Sequence, residues 1–151
     1  MSNINRRYPS AIINIGGISN ITYIEDKEKI ISFDTGPGNC LIDKWVRSNS
    51  NMKFDKMGNL AKSGKLNIKF LDKFLKDPYY SKKFPKSLDV KYFKLNNIKK
   101  LNFLDGCTTL SMLTVDSICL ALNSLNKTPN LILISGGGRK NKFIIKNIKK
   151  K

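Results

Sequence analysis

The chain has 151 residues, enough for one domain of ordinary size or half of a two-domain protein, and 40% of them are hydrophobic, which excludes wholesale disorder. No uninterrupted apolar run approaches the roughly 20 residues that a membrane-spanning helix needs. Asn14 and Asn20 also interrupt the only N-terminal stretch that could act as a secretory signal. The net charge of +17 raises a nucleic-acid reading, but lysine outnumbers arginine 24 to 4, and the lysines are scattered apart from Lys146, Lys149, Lys150 and Lys151. A compositional bias toward Lys, Ile and Asn is the simpler source of that charge.

Cys40, Cys107 and Cys119 form no C-x-x-C pair and are odd in number, so a disulfide framework and a zinc ribbon are both disfavoured and a reducing cytoplasm is the simplest setting. The complete absence of histidine excludes Ser-His-Asp and Cys-His catalysis and any His-ligated metal within these residues. General-base work must then fall to one of only eleven carboxylates.

In chain order, residues 1–10 read as a polar tail. Residues 11–15, 18–24 and 29–34 read as three short strands in an antiparallel meander, separated by Gly16-Gly17 and by Glu25-Asp26-Lys27. A helix follows, capped by Gly38 or Asn39, with Leu41, Ile42, Trp45 and Val46 on one face. Residues 48–66 read as loop, 67–76 as a short helix capped by Asn67 and stopped at Asp77-Pro78, and 79–100 as irregular. Residues 108–125 give the strongest helical pattern, with Thr114 and Ser117 interrupting its apolar stripe. The run 130–135 reads as a strand buried on both faces, and 140–150 as a final basic helix. The order β-β-β-α, an excursion, then α-β-α predicts an α/β domain with a mixed sheet, incomplete after its last helix.

Three glycine turns each follow an apolar strand: Gly16-Gly17, Gly36-Pro37-Gly38 and Gly136-Gly137-Gly138. A single such turn is ordinarily only a tight turn. Three at equivalent strand ends can bring backbone N–H groups to one ligand. None fits the P-loop or the dinucleotide pattern, so a nucleotide site would have to be of another type. Asp34, at a strand end directly before a glycine turn, is placed either as a general base or as a turn-forming aspartate. Asp43, on the following helix, either approaches the same cleft or is a solvated face residue. Lys86 either binds an anion or is solvated.

The segments NIGGISN (14–20), FDTGPGN (33–39), LIDKW (41–45), D-x-x-G-x-x-A-x-S-G-K-x-N (55–67), DPYY (77–80), PKS (85–87), YF (92–93) and SGGG-x-x-N (135–141) occur in that order. Together they resemble the anhydro-N-acetylmuramic acid kinase family, over about residues 11–148. The resemblance implies a ribonuclease-H-like domain of the actin, Hsp70 and sugar-kinase superfamily. It further implies a cytoplasmic enzyme of peptidoglycan recycling that hydrolytically opens 1,6-anhydro-N-acetylmuramic acid and phosphorylates O6, giving N-acetylmuramic acid 6-phosphate, with ATP and Mg²⁺.

Residue by residue, the resemblance makes Asp34 the general base. Gly16, Gly17, Gly136, Gly137, Gly138 and Asn141 become nucleotide contacts, and Gly36, Gly38, Asn39 and Asp43 substrate contacts. It also suggests a homodimer. The family's G-T-S-x-D-G-x-D hairpin, its R-R-x-D segment and its strand beyond the SGGG helix have no counterpart here, and the T-G-R-E that follows PKS in the family is Leu88-Asp89-Val90-Lys91. The expectation is therefore a partial second kinase domain over 11–151 with an insertion at about 48–104. Such a domain would lack its N-terminal partner, show an open sheet edge and be inactive alone. A noncatalytic basic nucleic-acid-binding module and a degenerate pseudokinase are the alternatives.

Overall fold

Alternating burial along the first strands fixes which side of the sheet carries the core. In β1 (Ser10–Ile15), Ala11, Ile13 and Ile15 point inward, and in β2 (Ile18–Ile24), Ser19, Ile21 and Tyr23 do the same. The computed structural model describes residues 8–95 and 98–151; residues 1–7 of the expected N-terminal tail lie outside them. The third strand, β3 (Ile30–Pro37), runs through the Thr35–Pro37 turn that the sequence places after it. The expected meander forms: β2 pairs antiparallel with both β1 and β3, with a register shift at Ser19/Asn20 beside Asp34. β4 (Leu131–Ser135) adds to β1 in parallel, giving a four-stranded mixed sheet in the order β3-β2-β1-β4. The α/β class with a mixed sheet is thus as expected.

Among the helices, α1 (Cys40–Asn49) and α5 (Phe103–Asn123) supply the largest shares of the core. Leu41, Ile42, Trp45 and Val46 are buried on α1, as their spacing predicts. α5 begins five residues before the predicted start, because Asn102 accepts the Asp105 N–H and caps it there. Thr114 and Ser117 do not interrupt its buried face. Both are buried, and their hydroxyls donate to the Gly38 carbonyl (2.8 Å) and the Leu113 carbonyl (2.7 Å). By length and composition α5 could cross a bilayer, which the absence of a long apolar run does not anticipate, but its apolar window is 72% buried within the protein.

The excursion is more structured than its polar sequence suggests. It carries α2 (Asn59–Ser63), α3 (Ile68–Leu75) and α4 (Pro78–Ser81), and Asn67 caps α3 through the Phe70 N–H as predicted. The block 55–67 is a strap across α5: Lys65 N–H donates to Asp105, Asn67 N–H to Thr109, and Thr108 donates to the Ala61 carbonyl. The final helix, α6 (Lys142–Lys150), buries Ile144 and Ile148.

One expectation fails outright. β4 is not buried on both faces; Leu131, Ile132 and Leu133 are 38%, 40% and 53% exposed. Among the described residues it lies at the sheet edge with a neighbour on one side only, so its apolar run has nothing to cover it.

Candidate functional site

The ends of β1, β3 and β4 bring the glycine turns together. The N–H groups of Gly38 and Cys40 donate to the Gly17 carbonyl (2.9 and 3.1 Å), and that of Asn39 to the Gly16 carbonyl (2.7 Å). Those carbonyls satisfy the leading N–H groups of α1, which a helix leaves unpaired. Asn39 does sit at the N-cap position, but its side chain does not cap α1; it donates to the Ile15 carbonyl at 3.3 Å. A Cβ on Gly38 would lie 2.3 Å from the Gly16 carbonyl oxygen, and one on Gly36 would lie 2.7 Å from the Ser117 Cβ. Both glycines are buried and are set by packing.

The SGGG turn divides by role. Gly136 takes φ +80°, and a Cβ there would meet Asn14 Oδ1 at 2.5 Å. A Cβ on Gly138 would strike Ile15 at 2.2 Å, whereas one on Gly137 finds only Asn39 Nδ2, at 4.0 Å. Gly137 is exposed and needs no glycine for packing, which leaves its backbone open to an approaching ligand. It borders a cavity of about 310 Å³ that also takes in Asn39, Asp43, Gly138, Lys140 and Asn141. Gly16, Gly17, Gly36, Gly38, Gly136 and Asp34 lie outside this lining.

Asp34 is held from several directions. The Leu88 N–H donates to its Oδ2 (2.7 Å), the Tyr79 hydroxyl donates to its carbonyl (2.6 Å), and its own N–H donates to the Lys86 carbonyl (3.0 Å). Its Oδ1 has no hydrogen bond among the described residues. The segment that holds it continues to Val90, whose Cγ1 lies 3.8 Å from where a Gly17 Cβ would sit, so Asp34 and the first glycine turn share one strap.

The model of the family described as anhydro-N-acetylmuramic acid kinase matches residues 3–151. The chain belongs to the anhydro-N-acetylmuramic acid kinase family. It is similar to proteins named anhydro-N-acetylmuramic acid kinase from Zymomonas mobilis (35% identity, 92% of this chain and 38% of the relative), from Hydrogenovibrio crunogenus (38%, 92% and 40%) and from Pelagibacter ubique (38%, 95% and 40%). The chain therefore spans about two fifths of the length of these kinases.

Within this kinase-family chain, Asp43 and Asp55 both border the cavity, but only one is free. Asp55 accepts the N–H groups of Leu60 and Ala61 (2.8 and 3.0 Å) on its two oxygens and so holds the start of α2. Asp43 has no side-chain hydrogen bond among the described residues. Burial pushes its carboxyl above the usual aspartate range; Arg47 opposes that shift and Asp55 adds to it. Asn141 is seven-eighths or more buried and spends its Oδ1 on the Ile144 N–H, capping α6. The sequence reading misses Lys140, Asp55 and the Tyr79 and Leu88 contacts to Asp34. DPYY is visible as a motif, but no spacing ties it to a strand 45 residues earlier.

Proposed function

We propose that the chain provides the nucleotide-binding portion and the general base of a kinase that opens 1,6-anhydro-N-acetylmuramic acid with water and phosphorylates O6 from ATP, giving N-acetylmuramic acid 6-phosphate in the cytoplasm. What supports the reading is the convergence of Asn39, Asp43, Gly137, Gly138 and Asn141 on one cavity in a chain of this family.

Asp34 takes the proton from the attacking water on Oδ1, while the Leu88 N–H holds Oδ2 in place. Water oxygen bonds to C1, the C1–O6 bond breaks, and O6 bonds to the γ-phosphorus of ATP as the bond from that phosphorus to the bridging oxygen breaks and ADP leaves. Gly16, Gly17 and Gly137 offer backbone without side chains to the phosphates, and Gly136, Gly138 and Asn141 shape the turn that meets the nucleoside. Gly36, Gly38 and Asn39 hold the segment between Asp34 and α1 on the sugar side. Asp43, a cavity carboxylate with no side-chain hydrogen bond among the described residues, contacts the substrate, and Mg²⁺ would arrive with the ATP phosphates and would neutralise charge during transfer.

Transfer needs both walls of a cleft, so this chain alone is expected to turn over negligibly. Joined to the part of the Zymomonas mobilis kinase that it does not match, it is expected to form the 6-phosphate, detected by phosphorus NMR. Asp34→Asn should lower that rate about 10²–10⁴-fold. An Asp34→Asn rate equal to the parent's would overturn the assignment.

A further inference from the structure

A second cavity, of about 360 Å³, lies between the segment following α4 and the outer side of α5, apart from the one bordered by Gly137. Lys82, Lys83 and Lys86 line it, its floor is Phe84, Leu120 and Ala121, and no carboxylate lines it among the described residues. Of the nearby acids, Asp34 accepts the Leu88 N–H on Oδ2, and Asp77 and Asp116 are committed elsewhere. Asp77 accepts from the Tyr79 N–H and the Tyr92 hydroxyl, and Asp116 is paired with Lys151.

The hydroxyls at the cavity are also committed as donors: Ser81 to the Pro78 carbonyl, Ser117 to the Leu113 carbonyl, Tyr80 to the Ser117 hydroxyl, Ser124 to the Ala121 carbonyl and Thr35 to the Ser19 carbonyl. The ammonium groups are what remains to meet a ligand. Lys86 is half-buried, with its Nζ 3.3 Å from the Tyr79 carbonyl and 4.7 Å from the centre of the Tyr79 ring. Burial first, and the neighbouring Lys82 second, push its ammonium below the usual lysine range. Like charges gathered without a counter-charge at a partly desolvated site disfavour one another, and an anion among them relieves both costs.

We propose that this cavity is a binding site for a small phosphate-bearing anion, held by Lys82, Lys83 and Lys86. Inorganic phosphate and a compact phosphate monoester present the same oxoanion to it. The apolar floor beside the lysines has room for the organic part of the latter. Because the Lys86 carbonyl accepts the Asp34 N–H and Leu88 bonds the Asp34 carboxylate, an occupied site also braces the segment that holds Asp34.

The test is a titration of the nitrogen-15-labelled chain with inorganic phosphate and, separately, with glucose 6-phosphate, followed by amide shifts. Saturable shifts confined to residues 80–88 and to the 117–124 part of α5 are expected. Affinity should fall about tenfold in Lys86→Gln and in Lys82→Gln, and stay unchanged in Lys149→Ala. Lys82 is exposed, so its replacement separates lost binding from lost structure. Tighter binding of the sugar phosphate would identify an ester site, and equal or weaker binding a free-phosphate site. Shifts that do not saturate, that spread over the whole basic surface, or that survive both glutamine replacements would overturn the proposal.

Discussion

At the scale of single residues, the SGGG turn separates a packed glycine from an open one. Gly138→Ala must push Ile15 aside from a 2.2 Å approach, and an overpacked core of this kind costs about 1–3 kcal/mol. Gly137→Ala meets nothing closer than 4.0 Å and should leave stability within about 0.5 kcal/mol of the parent. Urea unfolding of the two variants checks the contrast. Asp43 gives a second residue-scale outcome. Its folded-state pKa is raised above 3.8, so the folded chain binds the proton more tightly than the unfolded one. Its contribution to stability therefore falls as pH rises through the window between the ordinary aspartate value and the raised one. Asp43→Asn should raise Tm at neutral pH, and the gain should vanish in acid below both values, as thermal melts across pH would read.

At the scale of elements, α1 and α5 are joined at one contact that decides their packing. A Cβ on Gly106 would lie 2.3 Å from the Trp45 ring, whose Nε1 donates to the Phe103 carbonyl at 2.9 Å. Alanine improves helix propensity over glycine by about 1 kcal/mol. The clash with a buried indole outweighs that gain, so Gly106→Ala should be destabilising by about 2 kcal/mol net, seen as a lower urea midpoint with an unchanged slope. Elements whose burial follows from their own periodicity are legible in the sequence: β1 and β2 alternate, and α1 shows Leu41, Ile42, Trp45 and Val46 on one face. Elements that depend on distant partners are not. α2 exists because Asp55 bonds two of its N–H groups and Thr108 of α5 bonds its Ala61 carbonyl. The burial of Thr114 and Ser117 likewise follows from bonds that no apolar stripe reveals. For the site, the three glycine turns and Asp34 are visible as strand-end punctuation. Which glycines serve packing and which stay open depends on the neighbour each one faces, and that is a property of the fold.

At the scale of the whole molecule, the sheet has one covered side and an apolar open edge at β4. Apolar β4 residues read as doubly buried in the sequence because a run such as LILIS normally sits mid-sheet. Here Leu133 stands opposite Ile12 in the parallel register, and both are exposed. Exposed apolar edges of this kind favour association with other chains. The chain spans about two fifths of the length of its kinase relatives, and the cavity bordered by Gly137 is the one proposed above for the nucleotide. The most direct test is equilibrium binding of ATP to the 151-residue chain and to Gly137→Val, with Tm measured alongside. The parent should bind saturably and the variant about tenfold more weakly at an unchanged Tm, because the added side chain fills ligand space without disturbing packing. Equal affinities at equal Tm, or no saturable binding by the parent, would contradict the assignment of the glycine turns to nucleotide.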